Sequence, residues 1–333
     1  MEAVIEEFMA KYDVPGLSIA IAKEDRLIFV KGFGLADKDK EQAVTTQSRF
    51  RIASISKPIT AVTVLRLVEQ GDLQLSDRVF GEHGALGTTY GTRPYKGHIE
   101  EITIENLLAH TSGGWLNDEN DPMFQHPEMD HSQLISWTLD NQTLGHAPGT
   151  NYAYSNFGYC LLGRIIEKVT GKPYDDAVRC LVLQPCGVQD MAIGRNKPEE
   201  RQPGEVVYHG YEADDPYGPN VARMDSHGGW IASATDLVRF AVRVNGFPEE
   251  PDILRSETIA RMSTGSTANA GYALGWAVNE AGNWWHGGSL PGAATILART
   301  TSGYCWAGLT NTRRPGIGAD LDKLMWAVAG SLE

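Results

Sequence analysis

The sequence predicts an α/β protein of the α+β type. It should hold an antiparallel sheet of about five strands, flanked by N- and C-terminal helices, with a mostly helical segment inserted between the two halves of the sheet. Three observations predict this. Residues 17–34 read as a strand hairpin, and three short apolar strands lie beyond residue 270. From about residue 76 to 264, loops rich in Gly, Asn, Asp and Pro alternate with helical stretches. The expected division is a sheet domain, 1–75 together with 265–333, and a mostly helical domain, 76–264. A cleft between two such bodies is a usual place for a site.

The elements follow in order. Val4, Ile5, Phe8 and Met9 recur at helical spacing, and Pro15-Gly16 ends that helix. "LSIAIA", the turn "KEDR" and "LIFVKGFG" form the hairpin. Ile59 to Val68 is helical and Gly71 closes it. Thr103 caps a helix in "TIENLLAH", and "NFGYCLLGRIIEKVTG" has an apolar stripe and a terminal Gly171. "TDLVRFAVRVNG" predicts a helix from Thr235 to Gly246. "YALGWAV", "AATILART" and "YCWAGLTNT" supply the late strands, and a last helix near Leu321 to Leu332 carries Leu321, Leu324, Met325 and Val328 on one side.

Composition narrows the function classes. The chain has 333 residues, 42% hydrophobic and 21% charged, with a formal net charge of −13. Such a chain affords a substantial core. A nucleic-acid binder needs a basic stripe, and the longest basic run is Arg313-Arg314. No stretch reaches the ~20 apolar residues of a membrane span. The N-terminus is acidic where a signal peptide needs basic residues, so the chain as given is expected in the cytoplasm, or in the periplasm or outside the cell if a leader has been removed. Of the four cysteines, Cys160 and Cys305 lie in apolar runs and read as buried free thiols; there is no CxxC. "HPEMDH" has no usual zinc spacing and reads as solvated loop side chains. No cofactor or metal is implied.

Three short stretches carry chemistry. In "RIASISKPIT", Ser54 and Lys57 are three apart, so on a helix the amine reaches the hydroxyl. Pro58 fits only in a first turn, which puts Ser54 at the helix mouth, where free N–H groups can bind an oxyanion. The same positive end, with burial, disfavours the ammonium of Lys57, and a neutral lysine can act as a base. In "NYAYSNFGY", Tyr154 and Asn156 precede a helix. Asn156 or Ser155 can cap that helix, or Tyr154 can shuttle a proton while Asn156 holds the lysine or a carbonyl. A phenol of ordinary pKa is a poor base at neutral pH and needs a nearby cation, which Lys57 can be. In "WWHGGSLPGA", Gly287 and Gly288 allow a second backbone to approach, either as a bulge entering a strand or as an edge beside a pocket. His110, in "LLAHTSGG", reads as a helix C-terminal histidine facing the dipole.

Together these stretches resemble the serine β-lactamase and penicillin-binding protein superfamily, with its Ser-x-x-Lys, Tyr-x-Asn and Lys-Thr-Gly motifs in this order. The likeness spans essentially the whole chain. It is nearest to the class C β-lactamase-like branch with its esterases, D-aminopeptidases and DD-peptidases, and implies the β-lactamase/transpeptidase fold. It implies Ser54 as nucleophile, with Lys57 or Tyr154 as the acylation base. Tyr154 would protonate the leaving group, and Asn156 would orient Lys57 and the substrate. The backbone N–H groups of Ser54 and Ser289 would form the oxyanion hole. One departure stands out: His286-Gly287-Gly288 occupies the place of Lys-Thr-Gly. It resembles the His-x-Gly of D-aminopeptidase and DD-peptidase members and favours ester or peptide substrates over β-lactams. Arg313 or Arg314 is a candidate carboxylate contact. The implied partner is a small-molecule ester, peptide or lactam. A catalytically silent ligand-binding relative and an acyltransferase using the same Ser-Lys-Tyr site are the alternatives.

Overall fold

Leu17, Ile19 and Ile21 alternate with Ser18, Ala20 and Ala22, and both sets are buried. A strand with two buried faces needs cover on each side. The computed structural model, which describes residues 1–332, shows what supplies it. The elements in chain order are α1 (Glu2–Lys11), β1 (Gly16–Lys23), β2 (Arg26–Asp37), β3 (Gln42–Ala43), β4 (Phe50–Arg51) and α2 (Ser56–Gln70). The helices α3 (Ile104–Leu108), α4 (Pro122–Gln125), α5 (His131–Asn141), α6 (Asn156–Thr170) and α7 (Tyr174–Val178) follow. Then come β5 (Ala192–Ile193), β6 (Trp230–Ala232), α8 (Ala234–Val242), α9 (Ser256–Met262), β7 (Ala277–Val278), β8 (Trp284–Leu290), β9 (Ala293–Arg299), β10 (Tyr304–Thr310) and α10 (Ile317–Gly330).

The main sheet has the order β3-β2-β1-β10-β9-β8-β7, and all its pairings are antiparallel. The large residues of β1 face α1 and α10, in a cluster with Ile5, Phe8, Trp306, Leu321 and Met325. Its alanines face the larger cluster that also holds α2, α6 and α8. Small side chains on that face let α8 pack closely on β1 and β10. The hairpin turn is Glu24-Asp25, both with positive φ, as a two-residue connection requires. Gly71 and Gly171 end α2 and α6 in the left-handed conformation. A second sheet, β4-β6-β5, joins the segment before α2 to residues 192–193 and 230–232.

The mixed architecture and antiparallel sheet agree with expectation, but the strand count does not: the main sheet has seven strands. "YALGWAV" is not one strand: it turns back on itself at Gly275, φ +86°, where Tyr272 bridges Ala277, and only Ala277–Val278 join the main sheet. The missed strands are the two-residue β3 and the longer β8, "WWHGGSL". The glycines of β8 hid it, and they are there for contact. A Cβ at Gly288 would collide with the Ile52 carbonyl oxygen and the Thr295 hydroxyl. The predicted Thr235–Gly246 helix instead runs from Ala234 to Val242, because Ser233 and Asp236 form a capping box. The last helix starts earlier than expected, at Ile317, and Val4 is exposed rather than on the buried face of α1. Cys160, Cys186 and Cys305 are buried free thiols and Cys180 is exposed. Among the described residues, no helix is long and apolar enough to cross a membrane, and no group of three or more His, Cys, Asp or Glu is arranged to hold a metal ion.

Candidate active site

Ser54 lies in a short 3-10 turn, Ala53–Ile55, directly before α2. Ala53 is held at φ +48°, a conformation costly for a residue with a Cβ. Pro58 sits in the first turn of α2, as its missing N–H demands. Ser54 is the one residue between Phe50 and Leu65 that is not buried.

Three residues later, Lys57 is completely buried. Its Nζ lies 3.0 Å from Ser54 Oγ, 2.8 Å from Asn156 Oδ1 and 3.0 Å from the carbonyl oxygen of His227. Two of these partners can only accept. A neutral amine has two hydrogens for them, and its lone pair then faces the serine hydroxyl. Burial pushes Lys57 down to about 7, against the opposing pull of Asp121. Asn156 starts α6, whose cap is Ser155, accepting from Gly158 N–H. The Asn156 amide is oriented by its neighbours: Nδ2 donates to Asp121 Oδ2 at 2.8 Å while Oδ1 accepts from Lys57. Asp121 also caps α4 by accepting from Met123 N–H, and burial raises it to about 6.

The Tyr154 phenol lines the same cavity as Ser54, and its ring centroid is 4.7 Å from Lys57 Nζ. The expectation that Lys57 lowers this phenol fails. Burial raises Tyr154 above its ordinary value, more than the neighbouring Ser54 hydroxyl lowers it. It holds its proton at neutral pH.

The third stretch is the inner part of β8. Beyond Trp285, its edge away from β9 is unpaired, because β7 ends there. That stretch packs against the Ser54 turn, and Gly287, Gly288 and Ser289 line a cavity with Ser54 and Tyr154. His286 is buried, and burial, reinforced by the Lys57 charge, pushes it down to about 3. Its partners assign its tautomer. Nδ1 donates to the Gly287 carbonyl at 2.7 Å, so Nε2 accepts from Tyr272 Oη at 3.1 Å. Tyr272 in turn accepts from His110 Nε2 at 3.2 Å, and His110 Nδ1 accepts from Ser155 N–H at 3.1 Å. A neutral chain of hydrogen bonds therefore ties the start of α6 to β8. His110 is not a dipole-facing cation; it is buried, neutral and packed 4.2 Å, centroid to centroid, from Tyr154.

These observations place Ser54, Lys57, Tyr154 and Asn156 in one contact network, with His286, Gly287, Gly288 and Ser289 along its wall. Arg313 also reaches the cleft, lining a cavity with Ser54, but its guanidinium is bound to Asp214. Arg314 points away, to Tyr12 and Asp13. His131 is not a solvated loop residue, since its Nε2 donates to the Arg223 carbonyl at 2.8 Å.

A family model described as Beta-lactamase matches residues 1–330. The chain belongs to the β-lactamase family. Protein flp of Staphylococcus aureus (strain MRSA252) is 26% identical over 290 residues, 84% of this chain and 56% of its own length. Esterase EstB of Burkholderia gladioli is 30% identical over 219 residues, 63% of this chain and 54% of its own. This chain thus spans about half the length of the curated relatives it matches. The octameric penicillin-binding protein homologue from Pyrococcus abyssi shares the fold, with a TM-score of 0.79 and 25% identity over 99% of this chain and 76% of that one.

Within this β-lactamase-family site, sequence reasoning missed three side chains. Asp121 had one available signal, an Asp directly before Pro122, which marks a helix cap. Nothing in the sequence joined Tyr272 to His286. His110 was visible in "LLAHTSGG", but its neutral, bridging state follows from burial that only the fold supplies.

Proposed function

We propose that this protein is a serine hydrolase that works through an acyl-enzyme on a carboxylic ester or a peptide or amide, including those of D-amino acids. The site would lie in a cleft between the sheet region (1–75 with 265–333) and the helical region (76–264). The observation that carries this reading is Lys57: a buried amine, pushed to about 7, 3.0 Å from Ser54 Oγ, with its two obligate acceptors already in place. Such an amine takes the hydroxyl proton as Oγ attacks the acyl carbon. Of the two candidate bases, Lys57 fits and Tyr154 does not, because the phenol is raised and stays protonated. Tyr154 suits the next step, passing a proton to the leaving group. The backbone N–H groups of Ser54 and Ser289 are the proposed oxyanion donors. The neutral His286 offers no fixed cation to a β-lactam carboxylate, which weighs toward esters and amides.

The test uses a panel of p-nitrophenyl esters, D-amino-acid anilides and a chromogenic cephalosporin on wild type and Ser54→Ala. The expected result is one acyl or fluorophosphonate adduct per chain, on Ser54, and loss of turnover in the variant. Full activity in Ser54→Ala on any working substrate sinks the proposal.

A further inference from the structure

Two cavities open from Ser54, and their linings differ. One, about 360 Å³, has an apolar wall that includes Phe124, Met224, Leu290 and Pro291. The other, about 570 Å³, takes in Tyr154, Trp285, His286, Gly318, Ala319 and Asp322. Tyr154 lines the second and not the first. If Tyr154 protonates the leaving group, the leaving group lies in the second cavity and the acyl group in the first.

The charges of the second cavity are one-sided. No lysine or arginine lines it. His286 is neutral, and both its ring nitrogens are engaged, by Gly287 and Tyr272. Arg313 lines the neighbouring cavity and is held by Asp214. Asp322 stands on α10, where Gly318, Ala319 and Asp322 share one face. A Cβ at Gly318 would meet nothing within 4 Å, so the wall is open there, and the carboxylate sits one turn further along. Trp285, half-buried on β8, lines the same cavity. Burial alone shifts Asp322, upward, with no nearby cation to offset it. A carboxylate and an indole in one water-accessible cavity suit an alkylated ammonium, which gains from the charge and from the ring face.

We propose that Asp322 and Trp285 form a cation subsite on the leaving-group side of the cleft, so that the enzyme prefers substrates whose leaving group carries an ammonium. The inference rests on the Ser54 and Tyr154 roles proposed above.

The test compares three butyryl thioesters that differ only in the thiol: thiocholine, its uncharged isostere 3,3-dimethylbutanethiol, and 3-mercaptopropionate. In each, the C–S bond breaks as Ser54 Oγ bonds to the acyl carbon. The serine proton passes through Lys57 and Tyr154 to the departing sulfur, and water then releases butyrate. Thiol release gives kcat/KM. Wild type at low salt should favour the thiocholine ester over the neutral one by about three- to ten-fold, with the anionic ester slowest. In Asp322→Asn, the cationic-to-neutral ratio, read within each enzyme, should fall to about one. High salt should lower the ratio in wild type, which serves as the second measurement if the variant folds poorly. A wild-type ratio at or below one, a ratio unchanged in Asp322→Asn, or one indifferent to salt overturns the subsite. Release that persists in Ser54→Ala, or no release from any of the three, overturns the Ser54 reading and the subsite with it. Ser54-dependent release without a charge preference overturns the subsite alone.

Discussion

Asp121 and Lys57 do not touch, yet the electrostatics of the site make one depend on the other. Each bonds to the Asn156 amide, at 2.8 Å on either side, so the two charges sit roughly 7 Å apart. At an effective dielectric constant near 20, that separation couples them by about 2 kcal/mol, or about 1.5 pKa units of Lys57. Asp121→Asn removes the negative charge but keeps an oxygen to cap α4. The ammonium of Lys57 loses its support, so its pKa falls from about 7. In the proposed mechanism only the neutral amine is the base. The acid limb of kcat/KM, measured on a p-nitrophenyl ester between pH 5 and 9, should therefore move down by about one to one and a half units. Asp121 itself titrates near 6, so the wild-type limb belongs to the pair. Activity at pH 6, relative to each enzyme's own plateau, should rise several-fold in the variant. A limb that stays in place, or moves up, refutes Lys57 as the base. So does a wild-type limb near the ordinary lysine value.

Two further outcomes follow from the geometry. Tyr272→Phe deletes the hydroxyl between His110 and His286 and leaves two buried ring nitrogens unpaired. It should cost about 2 kcal/mol or more in denaturant unfolding and reduce kcat more than it raises KM; wild-type stability would contradict the hydrogen-bonded chain. Gly288→Ala forces β8 away from Ile52 and Thr295. It should lower kcat/KM by at least about ten-fold, as a displacement near 1 Å does in a preorganised site, with little change in the KM of small esters.

The parts of this molecule that were legible in its sequence share a property: their reasons are local. The β1–β2 hairpin, the Thr103 cap and the Gly71 and Gly171 stops are each decided within a few residues. The Ser54–Lys57 pair is local too, since one helical turn joins them. What could not be read depends on distant neighbours. β8 looks like a turn because it contains Gly287 and Gly288, and the need for Gly288 lies with Ile52. The upward shift of Tyr154 comes from burial under rings that include His110 and Tyr272. Asp121 acts on Lys57 through an amide 35 residues further along the chain.

At the middle of the main sheet, β1 pairs with β10, joining Leu17 to Thr310. A chain emerging from the ribosome makes the β1–β2 hairpin well before β10, and that hairpin must wait for β10, far along the chain, to find its partner. Until then one edge of β1 stands open to pairing with other nascent chains. Assembly of the sheet is thus a late event of high contact order, slow compared with the helices around α2 and α6. The wall opposite Ser54 comes from β8, in that same late section, so a growing chain short of β10 carries Ser54 and Lys57 without the finished cleft around them.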